Sequence, residues 1–511
     1  MSPEPGLACN PPGHRFHGGL ILEHYKNHSS VQALLPVPLP DELVLPLQQH
    51  MGSPAEPVVS VGQQVLKGQC LAQADGPLSA AVHAPTSGTV MALEARPLPD
   101  PSLLPGPCIV LRPDGLDLWG DLPEPMHCER ARPEELIERV RQSGIVGLGG
   151  AVFPSHFKLQ HHQQPIHTVI LNGAECEPYI TCDETLMQLE AEAILKGAEL
   201  LMRMLGAERA VIAVEDPMSE VCKAFERACR KVDAPGVQVS RVPTIYPEGG
   251  EKQLIKVLTG LEVPAGGYPG DLGILCHNVA TAWSIHQAVT RGRPLVERIV
   301  TVTGAGVAEP GNYRVPLGCS IGHVVAAAGG YTPEAARLVM GGPMMGVALP
   351  DDSLPVVKAT NCILVLGRDQ VRDSAPVLPC IRCGECARVC PQQLLPQELY
   401  WQARAGDTDK LQQLNLADCI ECGCCAYVCP SHLPLVDYYR HGKSLLRIQR
   451  INESKAEQAR RRHEAREARL AAERAAREAR RRKQAEALKA RGKDAVQAAV
   501  ARAKARKQGE T

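Results

Sequence analysis

Nowhere in the 511 residues does an apolar run approach the ~18–20 residues of a membrane-crossing helix. The opening Met1-Ser-Pro-Glu-Pro has neither the basic nor the apolar segment of an export signal, so the chain is expected to be neither secreted nor membrane-spanning by itself. Net charge is also missing, at -1, but only as an average over two unlike parts. Residues 451–511 hold 19 Lys+Arg against 9 Asp+Glu, and the 450 before them hold 36 against 47. An acidic body of net -11 carries a basic arm of net +10. That arm lacks aromatics, and its few leucines hold no heptad, so it cannot bury a face. It is expected as a solvated helix or a disordered arm. Anionic lipid or RNA would suit its charge, and so would plain solvation; nucleic acid is not taken as a partner.

Cysteine, by contrast, is plentiful at 20. In a chain without an export signal, metal or redox use outranks a disulfide framework. The 44% hydrophobic and 22% charged residues suit a soluble protein, and the length allows about three or four domains.

The pattern reads as multidomain α+β. Residues 1–120 are Pro- and Gly-rich, and Val61–Leu71 with His83–Val90 look like two halves of a β-hammerhead. This part resembles lipoyl and biotinyl carrier domains, but the turn Ala74-Asp-Gly-Pro77 has no lysine to modify, which leaves a structural β-module. Residues 121–295 alternate strands and helices as an α/β domain. Pro133–Arg141 is predicted helical, His167–Asn172 and Arg209–Val214 as buried strands, and Glu184–Leu201 and Ser219–Lys231 as helices. Residues 296–350 suggest a small β-grasp-like module. Residues 370–440 read as short cysteine-bearing helices, and 445–511 as the charged tail.

The strongest chemistry is Cys380-x2-Cys383-x2-Cys386-x3-Cys390-Pro391, repeated as Cys419-x2-Cys422-x2-Cys425-x3-Cys429-Pro430. This is the bacterial two-cluster ferredoxin run, in which three thiolates hold one [4Fe–4S] cubane and the fourth cysteine ligates the other. The expected sets are Cys380, Cys383, Cys386 and Cys429, and Cys419, Cys422, Cys425 and Cys390. Zinc knuckles would instead use two ligand pairs per site. Cys424 is an extra thiol, read as a packed bystander or an alternative ligand. The eleven cysteines before Cys380 are read as small buried residues, and the 17 histidines, His161 and His162 among them, as solvated loop residues.

A second constellation is glycine-rich. Gly144-Ile-Val-Gly-Leu-Gly-Gly-Ala-Val-Phe-Pro154 is not a Walker A loop, and it fits the dinucleotide spacing poorly. Its glycines would let backbone amides approach a phosphate or a flat ring, with Lys158 just beyond. Taken alone it reads as an ordinary tight connection. Leu171-Asn-Gly-Ala-Glu-Cys-Glu-Pro178, Tyr246–Ile255 and Cys276-His-Asn-Val-Ala-Thr281 add polar groups after short strands. Glu175 and Glu177 read equally as helix-start carboxylates.

With Gly-Leu-Gly-Gly-Ala-Val-Phe-Pro, Asn-Gly-Ala-Glu-Cys-Glu-Pro and Gly341-Gly-Pro-Met-Met-Gly346, the stretch 130–350 resembles the flavin-bearing, NADH-oxidising subunit of respiratory complex I. The order hammerhead, flavin domain, two-cluster module resembles the C subunits of Rnf ion-translocating electron-transport complexes, up to about residue 445. The resemblance implies FMN cradled by Gly147, Gly149 and Gly150, with Lys158 and Asn172 at its phosphate or ring edge and Asn278 and Thr281 flanking the phosphate. It implies Phe153 stacking on the nicotinamide nucleotide and Glu175, Glu177 and Glu251 lining the NADH pocket. Ala174 and Lys252 depart from the complex I pattern, which has acidic residues there. The resemblance further implies an NADH-oxidising subunit relaying electrons through FMN and two [4Fe–4S] clusters. Hydride transfer itself requires no general acid or base, so no catalytic residue is expected. The subunit would be peripheral, on the cytoplasmic face of a bacterial inner membrane, with a ferredoxin-like subunit and integral membrane subunits as partners. A relay scaffold with a vestigial flavin site and a soluble diaphorase are the alternatives.

Overall fold

The computed structural model describes residues 13–29, 33–100, 102–127, 129–162, 164–232, 234–371 and 376–507. It forms two units, Met1–Arg440 and His441–Thr511. The expectations for Cys9, Cys128 and residues 508–511 lie outside the described residues.

The N-terminal module is two small antiparallel sheets, one ordered Leu43–Pro46, Pro105–Pro113, Gly88–Pro97, Gln64–Val65, the other Glu56–Pro57, Cys70–Gln73, Val82–His83. The two expected halves do meet: Gln64–Val65 pairs with the start of Gly88–Pro97, and Cys70–Gln73 with Val82–His83. Alternating apolar residues (Leu43, Leu45, Val90, Ile109, Leu111) turn inward and are fully buried. Gly88 is required by crowding, since a Cβ there would lie 2.2 Å from the Arg112 carbonyl oxygen.

The α/β domain has one parallel sheet, ordered Val237–Val242, Arg209–Glu215, Thr168–Gly173, Ile274–Asn278. Its inner strands, Arg209–Glu215 and Thr168–Gly173, are short apolar runs because helices cover both faces, whereas the edge strand Val237–Val242 alternates. In sequence order these strands lie 3-2-1-4, so the winding reverses between Thr168–Gly173 and Ile274–Asn278. The helix expected over 184–201 is two, Cys182–Leu189 and Ala191–Leu205. Glu190 between them leaves the helical conformation, at φ −122° and ψ 27°, and carries the exposed Leu189 beside it. Gly197 lets the second helix approach Val279–Arg291 to where a Cβ would sit 2.3 Å from the Ala282 oxygen.

The third sheet is ordered Leu35–Pro36, Gly311–Pro316, Glu297–Thr303, Cys362–Gly367, Ala335–Met340, Val347–Ala348. It draws an inner strand, Cys362–Gly367, from beyond the stretch 296–350, and its first strand from the N-terminal segment. One continuous apolar core runs through all three modules.

In the cysteine module the repeat is visible in the backbone. Arg382 and Glu421, Gly384 and Gly423, and Gln393 and His432 are paired positions, all with left-handed φ. Each half carries one short helix, Glu385–Arg388 or Cys424–Tyr427. The helix Leu435–Lys507 begins in the first unit and constitutes the second. From Ile451 to Lys507 nearly every residue is exposed, as expected for a face that cannot be buried. No helix of the described residues is long and apolar enough to cross a membrane.

The histidine expectation fails in part. His50, His83, His156, His277 and His286 are buried, because they lie in strands, helices or module contacts where neighbouring apolar surface encloses the ring. His161 stays exposed, stacked on Phe157.

Candidate functional site

Asn172 and Asn278 face one another in register at the strand reversal. The carboxyl ends of parallel strands at such a point leave a crevice, because the chain departs in opposite directions. Both amides are held. Asn172 Nδ2 donates to the Gly249 oxygen (2.8 Å) and its Oδ1 accepts from Ala174 N (3.0 Å). Asn278 Oδ1 accepts from Ala280 N (2.8 Å), capping the helix Val279–Arg291, and its Nδ2 donates to Asp183 Oδ2 (2.6 Å).

The glycine loop lies over this crevice. Its base is closed by Gly147 N donating to the Phe153 oxygen at 2.8 Å. Leu148 N donates to Thr281 Oγ1 (2.9 Å), and the Leu148 oxygen accepts from Arg298 Nη2 (3.1 Å). The Gly144 oxygen accepts from Lys358 Nζ at 2.7 Å. Beyond these anchors Gly149, Gly150 and Ala151 are exposed, and among the described residues no backbone carbonyl engages their amides. A Cβ at Gly149 would lie 3.3 Å from the Asn278 side chain, and Gly150 has φ +101° with open space around it. Bare amides beside an amide-lined crevice suit a phosphate or a flat ring, so these residues fit FMN.

Lys158 Nζ pairs with Glu251 and donates to the Cys276 oxygen (2.7 Å). Burial pulls the lysine pKa down, but Glu251 outweighs it, and the ammonium is held above its ordinary value. Gly147, Gly149, Gly150, Lys158, Asn172, Glu251, Asn278 and Thr281 are thus brought together.

The other candidates lie at the margin. Glu175 is buried and accepts from Asp183 N and Glu184 N at 3.0 and 3.2 Å, at the start of the helix Cys182–Leu189. Burial and Asp183 raise its pKa. Glu177 accepts from Met344 N and Met345 N at 3.2 and 2.8 Å, and burial pushes it up to about 7. Phe153 packs edge-on against Phe157.

In the cysteine module, Cys390, Cys419, Cys422 and Cys425 line one small cavity walled by Leu394, Leu399 and Tyr439. An apolar, water-poor pocket lined by these cysteines fits a cubane cluster. Cys424 also borders this cavity and packs among Leu22 and Tyr246. Cys380 and Cys383 are electrostatic neighbours of Cys386, and Cys429 follows its short helix as Cys390 follows the other. Of the described earlier cysteines, six are buried and Cys70, Cys176 and Cys229 are half-buried.

Sequence reasoning passed over Arg298, Lys358 and Asp183. Arg298 and Lys358 are fully buried cations that hold two carbonyls of the glycine loop. Their signal was a cation at the edge of or inside an apolar run, Arg298-Ile-Val-Thr-Val and Val356-Val-Lys-Ala359. Asp183 carries no such signal.

Four family models match the chain, one after another. The RnfC barrel sandwich hybrid domain matches residues 14–116, the Nuo51 FMN-binding domain 140–287, the SLBB domain 299–348 and the 4Fe-4S dicluster domain 379–433. The chain is 47% identical over 458 residues to the C subunit of the ion-translocating oxidoreductase complex of Pseudomonas aeruginosa, covering 89% of this chain and 59% of that protein. It is 45% identical over 459 residues to that of Erwinia tasmaniensis, covering 90% and 57%. It is 45% identical over 432 residues to that of Rhodobacter capsulatus, covering 84% and 83%. The chain thus spans less than two thirds of the first two relatives.

Proposed function

Because the chain belongs to the family of the C subunits of ion-translocating oxidoreductase complexes, we propose that it is the NADH-oxidising electron-transfer subunit of such a complex. Gly147, Gly149, Gly150, Lys158, Asn172, Asn278 and Thr281 would hold FMN. Phe153, Glu175, Glu177 and Glu251 would border the nicotinamide nucleotide. The eight cysteines would hold two [4Fe–4S] clusters, and divisions near residues 120 and 295 would separate the first modules, the third running past 350 to take in the strand Cys362–Gly367. FMN held there would supply two-electron chemistry toward NADH and one-electron chemistry toward the clusters, the net reaction yielding NAD+, two electrons and one proton. The chain's own residues supply placement. The loop amides and Lys158 would bind an anion, Asn172 and Asn278 would shape the crevice floor, and Arg298 and Lys358 would keep the loop from collapsing. The complex would sit at the cytoplasmic face of a bacterial inner membrane. A ferredoxin-like subunit and integral membrane subunits would be partners, and electron flow would run in either direction.

The observation that carries this reading is the exposed glycine loop placed over Asn278 at the strand reversal. Glu175 and Glu177, already engaged by backbone amides, favour a second reading, a relay subunit with a vestigial flavin site. Release of flavin on denaturation, together with NADH-to-ferricyanide activity of reconstituted protein, separates the two. Both present supports the enzyme; both absent with iron intact supports the relay.

A further inference from the structure

Residues 246–252 join the flavin crevice to the cysteine module, and they do so by facing both ways. Toward the crevice, the Gly249 oxygen accepts from Asn172 and its N–H donates to Cys176 Sγ (3.2 Å), while Glu251 pairs with Lys158. Toward the cysteines, Tyr246 OH donates to the Cys422 oxygen at 2.6 Å, and Lys252 Nζ pairs with Asp418 Oδ1 at 3.0 Å. Asp418, next to Cys419, also accepts from Gly266 N (3.2 Å). Tyr246 is buried, and the Lys252 and Asp418 side chains are 24% and 13% exposed, so the joint is largely desolvated and unlike an ordinary surface pair. Gly423 lets the surfaces close, since a Cβ there would lie 2.9 Å from the Met344 oxygen. Cys383 of the other set is exposed.

We propose that Tyr246 and Lys252 are positioning residues that brace the Cys390, Cys419, Cys422 and Cys425 set against the flavin crevice, so that this set receives each electron first. The proposal rests on the flavin-and-cluster reading above and names what sets its internal distance. Lys252, which departs from the complex I pattern, here has a partner that the pattern's acidic residue would repel. Electron transfer weakens steeply with separation, so a loosened brace slows transfer to the clusters without altering hydride uptake.

The test uses the full chain reconstituted with FMN, iron and sulfide. NADH-driven bleaching of the cluster absorbance is followed by stopped flow, and amide hydrogen exchange is read across residues 416–425. Lys252→Met should slow bleaching by about tenfold or more, speed exchange in 416–425, and leave the NADH-to-ferricyanide rate, drawn directly from flavin, within about twofold. Tyr246→Phe should do the same more weakly. The reversed pair, Lys252→Asp with Asp418→Lys, should restore both readouts. Bleaching and exchange unchanged in Lys252→Met and Tyr246→Phe would overturn the brace. A parent protein inert to NADH in both assays would sink the functional reading instead, and exchange in 416–425 would then decide the brace alone.

Discussion

At the scale of single residues, the buried charges set the most specific expectations. Glu248 is fully buried, neither carboxyl oxygen has a hydrogen-bond partner among the described residues, and burial beside Glu215 pushes its pKa from 4.5 up to about 8. The folded state therefore keeps a proton that the unfolded chain releases, and stability falls as pH rises through that window. Glu248→Gln should stabilise the protein by about 1–3 kcal/mol at about pH 8 and change little at about pH 4. Urea unfolding at the two pH values measures this, and an equal effect at both would contradict it. Lys358 acts differently. Its Nζ donates to the Ala81 and Gly144 oxygens, both 2.7 Å away, and no acidic group pairs with it among the described residues. Lys358→Ala leaves two carbonyls without a donor and a void between modules, a loss of about 3 kcal/mol. The thermal midpoint should drop accordingly, and retained flavin should drop with it.

At the scale of elements, helix caps separate stability from site geometry. Asn278 caps Val279–Arg291 and Ser320 caps Ile321–Ala327, each through a side-chain oxygen. Either alanine substitution should cost about 1 kcal/mol in unfolding experiments. Only Asn278→Ala should also lower the flavin-to-protein ratio after gel filtration, because only that cap lies under the glycine loop. Equal flavin retention in the two variants would remove Asn278 from the site. Much at this scale was legible beforehand. Pro133 at a helix start and the apolar run before Asn172 announced their elements through local preference. The break at Glu190 was not legible, because it depends on which neighbour each half-helix packs against.

At the scale of the whole molecule, pH dependence is a sum of opposed contributions. His83 and His277 are pushed down to about 3, and His50 and His286 to about 4, all chiefly by burial. Their folded pKa values lie below the ordinary 6.5, so their stabilisation is full above that value and lost as pH falls below it. This is opposite in sign to Glu248. Each histidine contributes up to about 1.4 kcal/mol per pH unit, against the raised carboxyls of Glu175, Glu177 and Glu248. Removing one opposing carboxyl exposes the histidine contribution: in Glu248→Gln the urea midpoint should fall further between about pH 7 and pH 5 than in the parent protein, and an equal change in both would contradict it. The basic arm is a separate expectation. Deleting residues 451–511 should weaken sedimentation with anionic vesicles while leaving iron and flavin content unchanged, and unchanged sedimentation would refute a tether.

The chain's cofactor chemistry was written locally, because thiolate spacing and the following proline are contiguous along the backbone. So were the order of the modules and the split between an acidic body and a basic arm. Tertiary structure alone decided which strand ends face each other, that Glu175 caps a helix, and that Arg298 and Lys358 hold the glycine loop. The same holds for Lys252, whose partner Asp418 lies 166 residues away. Periodicity and spacing report short-range geometry, whereas a buried cation or a desolvated ion pair finds its partner only once distant segments have packed and excluded water.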